Sequence, residues 1–239
     1  MRTGFARLAA MAAHPRARHL LVACGFVVGL ALASATVLLL AASRRVAIAD
    51  AGAKLENLSL VLAEETDREF QAVQQIAFSL ADHLREEGID SPEKFDRDLT
   101  SSPVNQDLLR RIAAIPQLGA LVLISRRGET VNVSHAWPAA PVDVRDRDFF
   151  RVLTGEHPPA SFISAPRLNR LSGAWTLLYA FALTAPDGKL LGIVGASLRL
   201  ASFEEFFARI SMQDGSTVAL YRTDGVLLAR YPHLDPGSR

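Results

Sequence analysis

The chain has 239 residues and a formal net charge of +1, with 26 basic against 25 acidic side chains. That length builds one or two domains with real cores, and the balanced charge excludes a nucleic-acid binder that works through a basic surface. The only cysteine is Cys24, which excludes a disulfide within the chain and a cysteine-based metal site.

Charge is unevenly spread along the chain. No acidic residue precedes Asp50, while Arg2, Arg7, Arg16 and Arg18 all come before the longest apolar run. Residues 20–42 carry no charge and would rise about 34 Å as a helix, enough to cross a bilayer. The basic lead and the mixed-charge flank place residues 1–19 in the cytoplasm and everything after Arg45 outside it. A cleaved signal peptide is the rival, with Ala47-Ile48-Ala49 as its processing site. The length of the run and the intervening Arg44-Arg45 favour an anchor in the bilayer. Gly25, Gly29 and Ala33, four apart, can form a close helix–helix seam or be ordinary residues of such a helix.

Residues 50–87 predict one long helix. Leu55, Leu58, Leu62, Thr66, Phe70, Val73, Ala77, Leu80 and Leu84 recur at a mean spacing of about 3.6, and Gly88 is placed to stop the helix. The stripe predicts pairing with a second copy, packing on its own domain, or both, so a homodimer through the membrane and long helices is expected. Ser91-Pro92 and Ser102-Pro103 each predict a capped helix start, and Pro116 ends the second of these helices. Residues 46–118 thus form a helical lead-in.

From Gly119 the period changes. Strands are predicted at 120–125 and 129–134 around an Arg127-Gly128 turn, then a helix over 145–153 with Asp146 as its cap. Strands at 161–168, 174–183 and 190–198 follow, the last two joined by Pro186-Asp187-Gly188. Ser202 and Glu205 form a capping box for a helix over 202–210. This order predicts an α+β fold, a five-stranded antiparallel sheet with helices over one face, spanning 119–210. Residues 216–222 and 226–231, around Asp224-Gly225, repeat the first hairpin and begin a second, similar unit over 211–239.

Function is most legible in residues 142–151. Three arginines (Arg145, Arg147, Arg151) and three aspartates surround Phe149-Phe150. Buried aromatics beside planar, permanently charged guanidinium groups make a pocket for a small anion. The same stretch also reads as a surface helix with local Asp–Arg pairs. Arg167 and Arg170 flank the turn into the Trp175 strand, either closing a pocket mouth or solvated. Trp175 and Tyr179, four apart on a strand, share one face and serve either core or ligand. The six histidines show no metal-ligand spacing. Ser91-x-x-Lys94 matches a nucleophile pattern, but capping explains it. No catalytic site and no cofactor are implied.

The ordered motifs resemble the double-Cache (PAS-like) family, extracytoplasmic sensor domains of bacterial transmembrane receptors. They are Arg145-Asp146-Arg147-Asp148-Phe149-Phe150-Arg151, Ile163-Ser164-Ala165-Pro166, Asn169 to Thr176, Gly192 to Leu198 and Asp224 to Arg230. Their order and spacing are similar to those of sensor histidine kinases and diguanylate cyclases, over about residues 20–232. The resemblance implies an anchor, a long helix, a membrane-distal PAS-like unit holding the ligand, and a truncated membrane-proximal one. It puts Arg147 at the carboxylate-binding position and Phe149 and Phe150 at the aromatic ones. Val142 stands where amino-acid binders carry Tyr, and Ser197 where they carry the Asp that holds the ammonium. An unpaired ammonium would be costly in a buried site, so a small carboxylate or other anion is expected. The expected function is the sensing input of a membrane receptor in the bacterial inner membrane. A membrane-anchored exported enzyme and a stand-alone binding protein are the alternatives.

Overall fold

The computed structural model describes residues 15–113, 115, 118–170, 173–210 and 216–233. The start of the N-terminal segment, the stop at Pro116, Leu171-Ser172 and the last six residues of the expected second unit lie outside these. The chain divides into two units, Met1–Thr66 and Asp67–Arg239.

Helix α1 runs over Pro15–Glu86. The sequence predicts two helices here, at 20–42 and 50–87. They are one element because residues 43–49 contain neither Gly nor Pro, so nothing in that stretch stops helical hydrogen bonding. In the first unit the large apolar side chains between Leu20 and Leu40 are 57–73% exposed. Among the described residues this is the one helix long and apolar enough to cross a membrane.

In the second unit Val73, Ala77, Leu80 and Leu84 are buried, spaced 4, 3 and 4 as one helical face requires. Gly88 ends α1 in the left-handed region (φ +80). Its N–H donates to Arg85 O and that of Ile89 to Leu84 O, both at 3.0 Å, the two bonds of a Schellman motif. Helix α2 (Pro92–Asp98) opens with Ser91 as cap, its hydroxyl accepting from Lys94 N–H. The Ser91–Lys94 spacing is thereby a capping pattern. Helix α3 (Ser102–Ile112) starts with Ser101 in the cap position, one residue earlier than expected.

The strands are β1 (Leu118–Ser125), β2 (Thr130–Val133), β3 (Ser161–Ile163), β4 (Arg167–Leu168), β5 (Trp175–Thr184) and β6 (Leu190–Arg199). They form one antiparallel sheet in the order β2-β1-β6-β5-β3, with β4 also on β5. The strand expected at 161–168 is two strands. Between them the Ser164 hydroxyl, not a backbone carbonyl, accepts the Leu178 N–H at 2.8 Å, and Pro166 has no N–H to give.

Side-chain alternation splits the sheet into two faces. Leu121, Leu123, Leu177, Phe181, Val194 and Leu198 join the α1 stripe in the main core. Ile124, Ala180 and Ile193 join Phe149, Phe150 and Leu153 in a second, smaller one. Helix α4 (Asp148–Leu153) supplies those last three residues.

Helix α5 (Leu200–Ile210) follows β6 directly, two residues before the expected Ser202 start, because Leu200 is buried along with Phe203 and Phe207. The hairpin of β7 (Val218–Tyr221) and β8 (Leu227–Tyr231) forms a separate two-stranded sheet. Its Leu228 and Ala229 are buried in the main core with Phe203 and Phe207. The β1–β2, β5–β6 and β7–β8 turns share one geometry, with N–H to O bonds Gly128–Ser125, Gly188–Ala185 and Gly225–Arg222.

Candidate functional site

On the face away from α1, the sheet is covered by the chain segment that leads through Val142 and Val144 into α4. The covering segment is pinned to the β1–β2 hairpin: Thr130 N–H donates to Val142 O (3.1 Å) and Val144 N–H to Gly128 O (2.8 Å). Between cover and sheet lies a cavity of about 120 Å³. The floor is made by one strand parity, with Ala120, Val122 and Ile124 of β1, Thr176 and Leu178 of β5, and Ser197 of β6. Ala120 and Leu178 both stand opposite Ser197, so the row beneath the covering segment is mostly small. In the next row Val122 and Ala180 flank Gly195. A Cβ on Gly195 would come within 2.8 Å of a Val122 methyl and 3.0 Å of a Leu178 methyl.

The charged wall comes from α4's entry and the segment around β4. Arg147, Arg167 and Arg170 all line the cavity. Arg147 is half-buried while Arg167 and Arg170 are exposed. Arg170 is already engaged, donating to Asp146 Oδ2 (2.7 Å) and to Asp143 O. Among the described residues no carboxylate stands within ion-pair distance of Arg147. Its guanidinium makes a long bond of 3.5 Å to Leu168 O. Burial, then the nearby charges of Arg170 and Arg167, lower its pKa from the ordinary arginine value, with Asp146 and Asp148 opposing. An arginine stays charged through such a shift, so the cavity holds a half-buried cation that no carboxylate among the described residues pairs.

The acidic residue on the wall is Asp148. Its Oδ1 accepts Phe149 N–H (2.9 Å) and its Oδ2 accepts Ala165 N–H (2.7 Å), which ties the β3–β4 connection to the start of α4. Asp146 does not cap α4. The cap position falls to Arg147, because Val142 and Val144 are tied to the hairpin and the Arg147 N–H closes a turn on Val144 O (2.9 Å).

Of the residues expected at a ligand site, Arg147, Phe149, Arg167, Arg170 and Ser197 border the cavity. Four others stand elsewhere. Arg145 is on the surface, paired with Asp143 at 2.6 Å. Phe150 is buried in the smaller core, with its ring tip 3.2 Å from where a Cβ of Gly128 would stand. Trp175 is 49% exposed. Tyr179 lies on the α1 face, edge-on to Phe70 at 5.5 Å.

His135, Asn169, Thr176, Ser164 and Asp148 also line the cavity and were not expected there. Strand parity would have found Thr176. It stands two residues from Leu178, which pairs with Ser197, so a site containing Ser197 takes Thr176 and turns Trp175 and Tyr179 away.

No family model matches the chain, and no curated protein matches it. Solved structures do. The extracellular domain assigned to a histidine kinase, rpHK1S-Z16, superposes with a TM-score of 0.65 at 24% identity, over 78% of this chain and 73% of that one. The ligand-binding domain of the Campylobacter jejuni chemoreceptor Tlp3, in complex with 4-methylisoleucine, gives 0.40 at 15% identity over 72% and 73%. That of the Pseudomonas fluorescens chemoreceptor CtaA, in complex with L-alanine, gives 0.39 at 18% over 66% and 69%. The first of these establishes the likeness of fold.

Proposed function

We propose that this chain, which has the fold of the Cache-like extracellular sensor domains, is the input region of a bacterial membrane receptor and binds a small organic anion in the cavity beneath α4. The observation that carries the reading is Arg147, a half-buried guanidinium that pairs with no carboxylate among the described residues, on the wall of a cavity with an apolar and small-residue floor. A carboxylate would accept two parallel N–H bonds from it. Arg167 and Arg170 add positive charge at the mouth. For an ammonium group the carboxylate lining the cavity among the described residues is Asp148, a weaker partner because it already accepts two backbone N–H groups and faces Arg222 at 3.6 Å. The cavity volume suits a ligand of a few heavy atoms.

In this reading α1 anchors the chain with its N-terminus in the cytoplasm and the sheet outside. Residues 119–210 are the membrane-distal ligand-binding unit and the β7–β8 hairpin begins a membrane-proximal one. Two copies pair through their long helices, and occupancy is passed through the membrane helix to a cytoplasmic output module.

The test is a thermal-shift comparison on the full chain in lipid nanodiscs, with propionate against L-alanine, which differ by the ammonium group. Propionate should raise the melting temperature more. A larger shift with alanine would overturn the anion reading in favour of an amino-acid sensor.

A further inference from the structure

The β7–β8 hairpin approaches the cavity wall through the side chain of Arg222, which meets Asp148. Arg222 closes the hairpin turn, its N–H donating to Val226 O at 2.9 Å. Its side chain is 17% exposed and has several partners at once. Nη1 donates to Ile163 O at 2.6 Å. Nε and Nη2 hold the two oxygens of Asp224 at 2.8 and 2.7 Å. The guanidinium carbon stands 4.6 Å from the centre of the Phe162 ring. Nη1 also faces Asp148 Oδ2 at 3.6 Å. That is the oxygen that accepts Ala165 N–H, next to Ser164 on the cavity wall.

We infer that Arg222 is a coupling residue, joining the cavity wall at Asp148 to the hairpin so that a change at one is felt at the other. The inference rests on the cavity being the sensing site and adds how its state leaves the domain. The physical reason is that the partners of Arg222 come from the hairpin, from the edge strand β3 and, in Asp148, from the cavity wall. Asp224 fixes the guanidinium plane relative to the turn. Phe162 and Ile163 of β3 receive its face and one edge, and Asp148 shares its charge. A planar group with five donors can hold this set together, and a lysine cannot. Reorienting Asp148 towards or away from a ligand changes the electrostatic attraction on Arg222. Because Arg222 is fixed to the turn by Asp224, that change is carried to the hairpin's docking on α5.

The experiment is amide hydrogen exchange on the full chain in nanodiscs, which reports local opening. Asp148→Asn alters the cavity wall and reaches the hairpin through Arg222. Exchange at Leu220 and Ala229, paired across the hairpin, should then quicken by about two- to tenfold, the lower part of the range for coupled neighbours. In an Arg222→Met background the same Asp148→Asn change should have no effect there. Arg222→Met should itself quicken Ala165, and Arg230→Met on the same hairpin should not. A residue that merely docks the hairpin would leave the Asp148 effect at zero. Unchanged hairpin exchange in Asp148→Asn, or equal effects in both backgrounds, overturns the inference. The readout needs no ligand, so failure to bind propionate would count against the sensor reading and leave the coupling result standing.

Discussion

Arg170 holds Asp146 at 2.7 Å, and this pair governs how much positive charge the cavity mouth keeps. Arg170→Ala removes one cation and frees Asp146, whose charge acts on Arg147. Both effects weaken anion binding. The expected loss is about three- to tenfold in affinity, shrinking at high salt because the pair is exposed. Arg145 is already satisfied by Asp143, so Arg145→Ala should change affinity by less than about twofold. Titration calorimetry at two salt concentrations separates the cases.

Gly195 sets the height of the cavity floor. With no side chain there, Val122 and Leu178 meet over it. A valine at 195 would drive those methyl groups apart and upward into the cavity. Overpacking of this kind costs about 1–3 kcal/mol. Gly195→Val should lower the unfolding free energy by that amount in a denaturant titration and abolish the propionate thermal shift. Retained binding would place the ligand elsewhere.

Acid titration gives opposite signs at different carboxylates. Asp96 has an unpartnered buried oxygen, Oδ1. Burial raises its pKa above 3.8, with Arg127 at 3.4 Å opposing. The folded chain therefore binds that proton more tightly than the unfolded chain. The resulting stability is full below pH 3.8 and is lost as pH rises through the folded value. Asp96→Asn should raise the melting temperature at pH 7 and change it little near pH 3. Asp143 and Asp224 are pulled down to about 2 by hydrogen bonds from Arg145 and Arg222 respectively. Their contribution is present above pH 3.8 and fades as pH falls towards 2. It is small, since both lie at the surface.

The elements were legible in the sequence because their signals are local. The α1 stripe from Val73 to Leu84, the Ser91 cap and the Gly88, Gly128, Gly188 and Gly225 turns each follow from neighbouring residues. What depends on the third dimension was not. Asp146 looks like a helix cap, but Arg170, 24 residues on, claims it. Residues 161–168 read as one strand, yet the Ser164 hydroxyl takes the place of a ladder carbonyl. Trp175 and Tyr179 are the conspicuous aromatics of this strand, whereas cross-strand pairing sets which face borders the cavity and favours the plainer Thr176 and Leu178. Buried Asn132, which donates to Leu99 O and Ser101 O at 2.8 and 3.1 Å, gives no sign in sequence of its long-range partners.

Orientation in the membrane has its own test. Arg2, Arg7, Arg16 and Arg18 precede the apolar run and no acidic residue does, so the N-terminus should stay inside. Alkaline phosphatase fused after Ser125 should be active in cells. An inactive fusion of normal abundance would reverse the topology and remove the extracellular sensor with it.

The most direct test is the affinity of the full chain in nanodiscs for propionate, measured by calorimetry in Arg147→Ala and Arg151→Ala. Arg147 faces the cavity, and Arg151 is exposed on α4. Losing the guanidinium would leave a buried anion unpaired, at a cost of about 2–4 kcal/mol, or roughly a thirty- to thousand-fold weaker Kd. The account predicts that loss in Arg147→Ala, with an unchanged far-ultraviolet circular dichroism spectrum, and wild-type affinity in Arg151→Ala. Wild-type affinity in Arg147→Ala, or failure of Arg151→Ala instead, would contradict it.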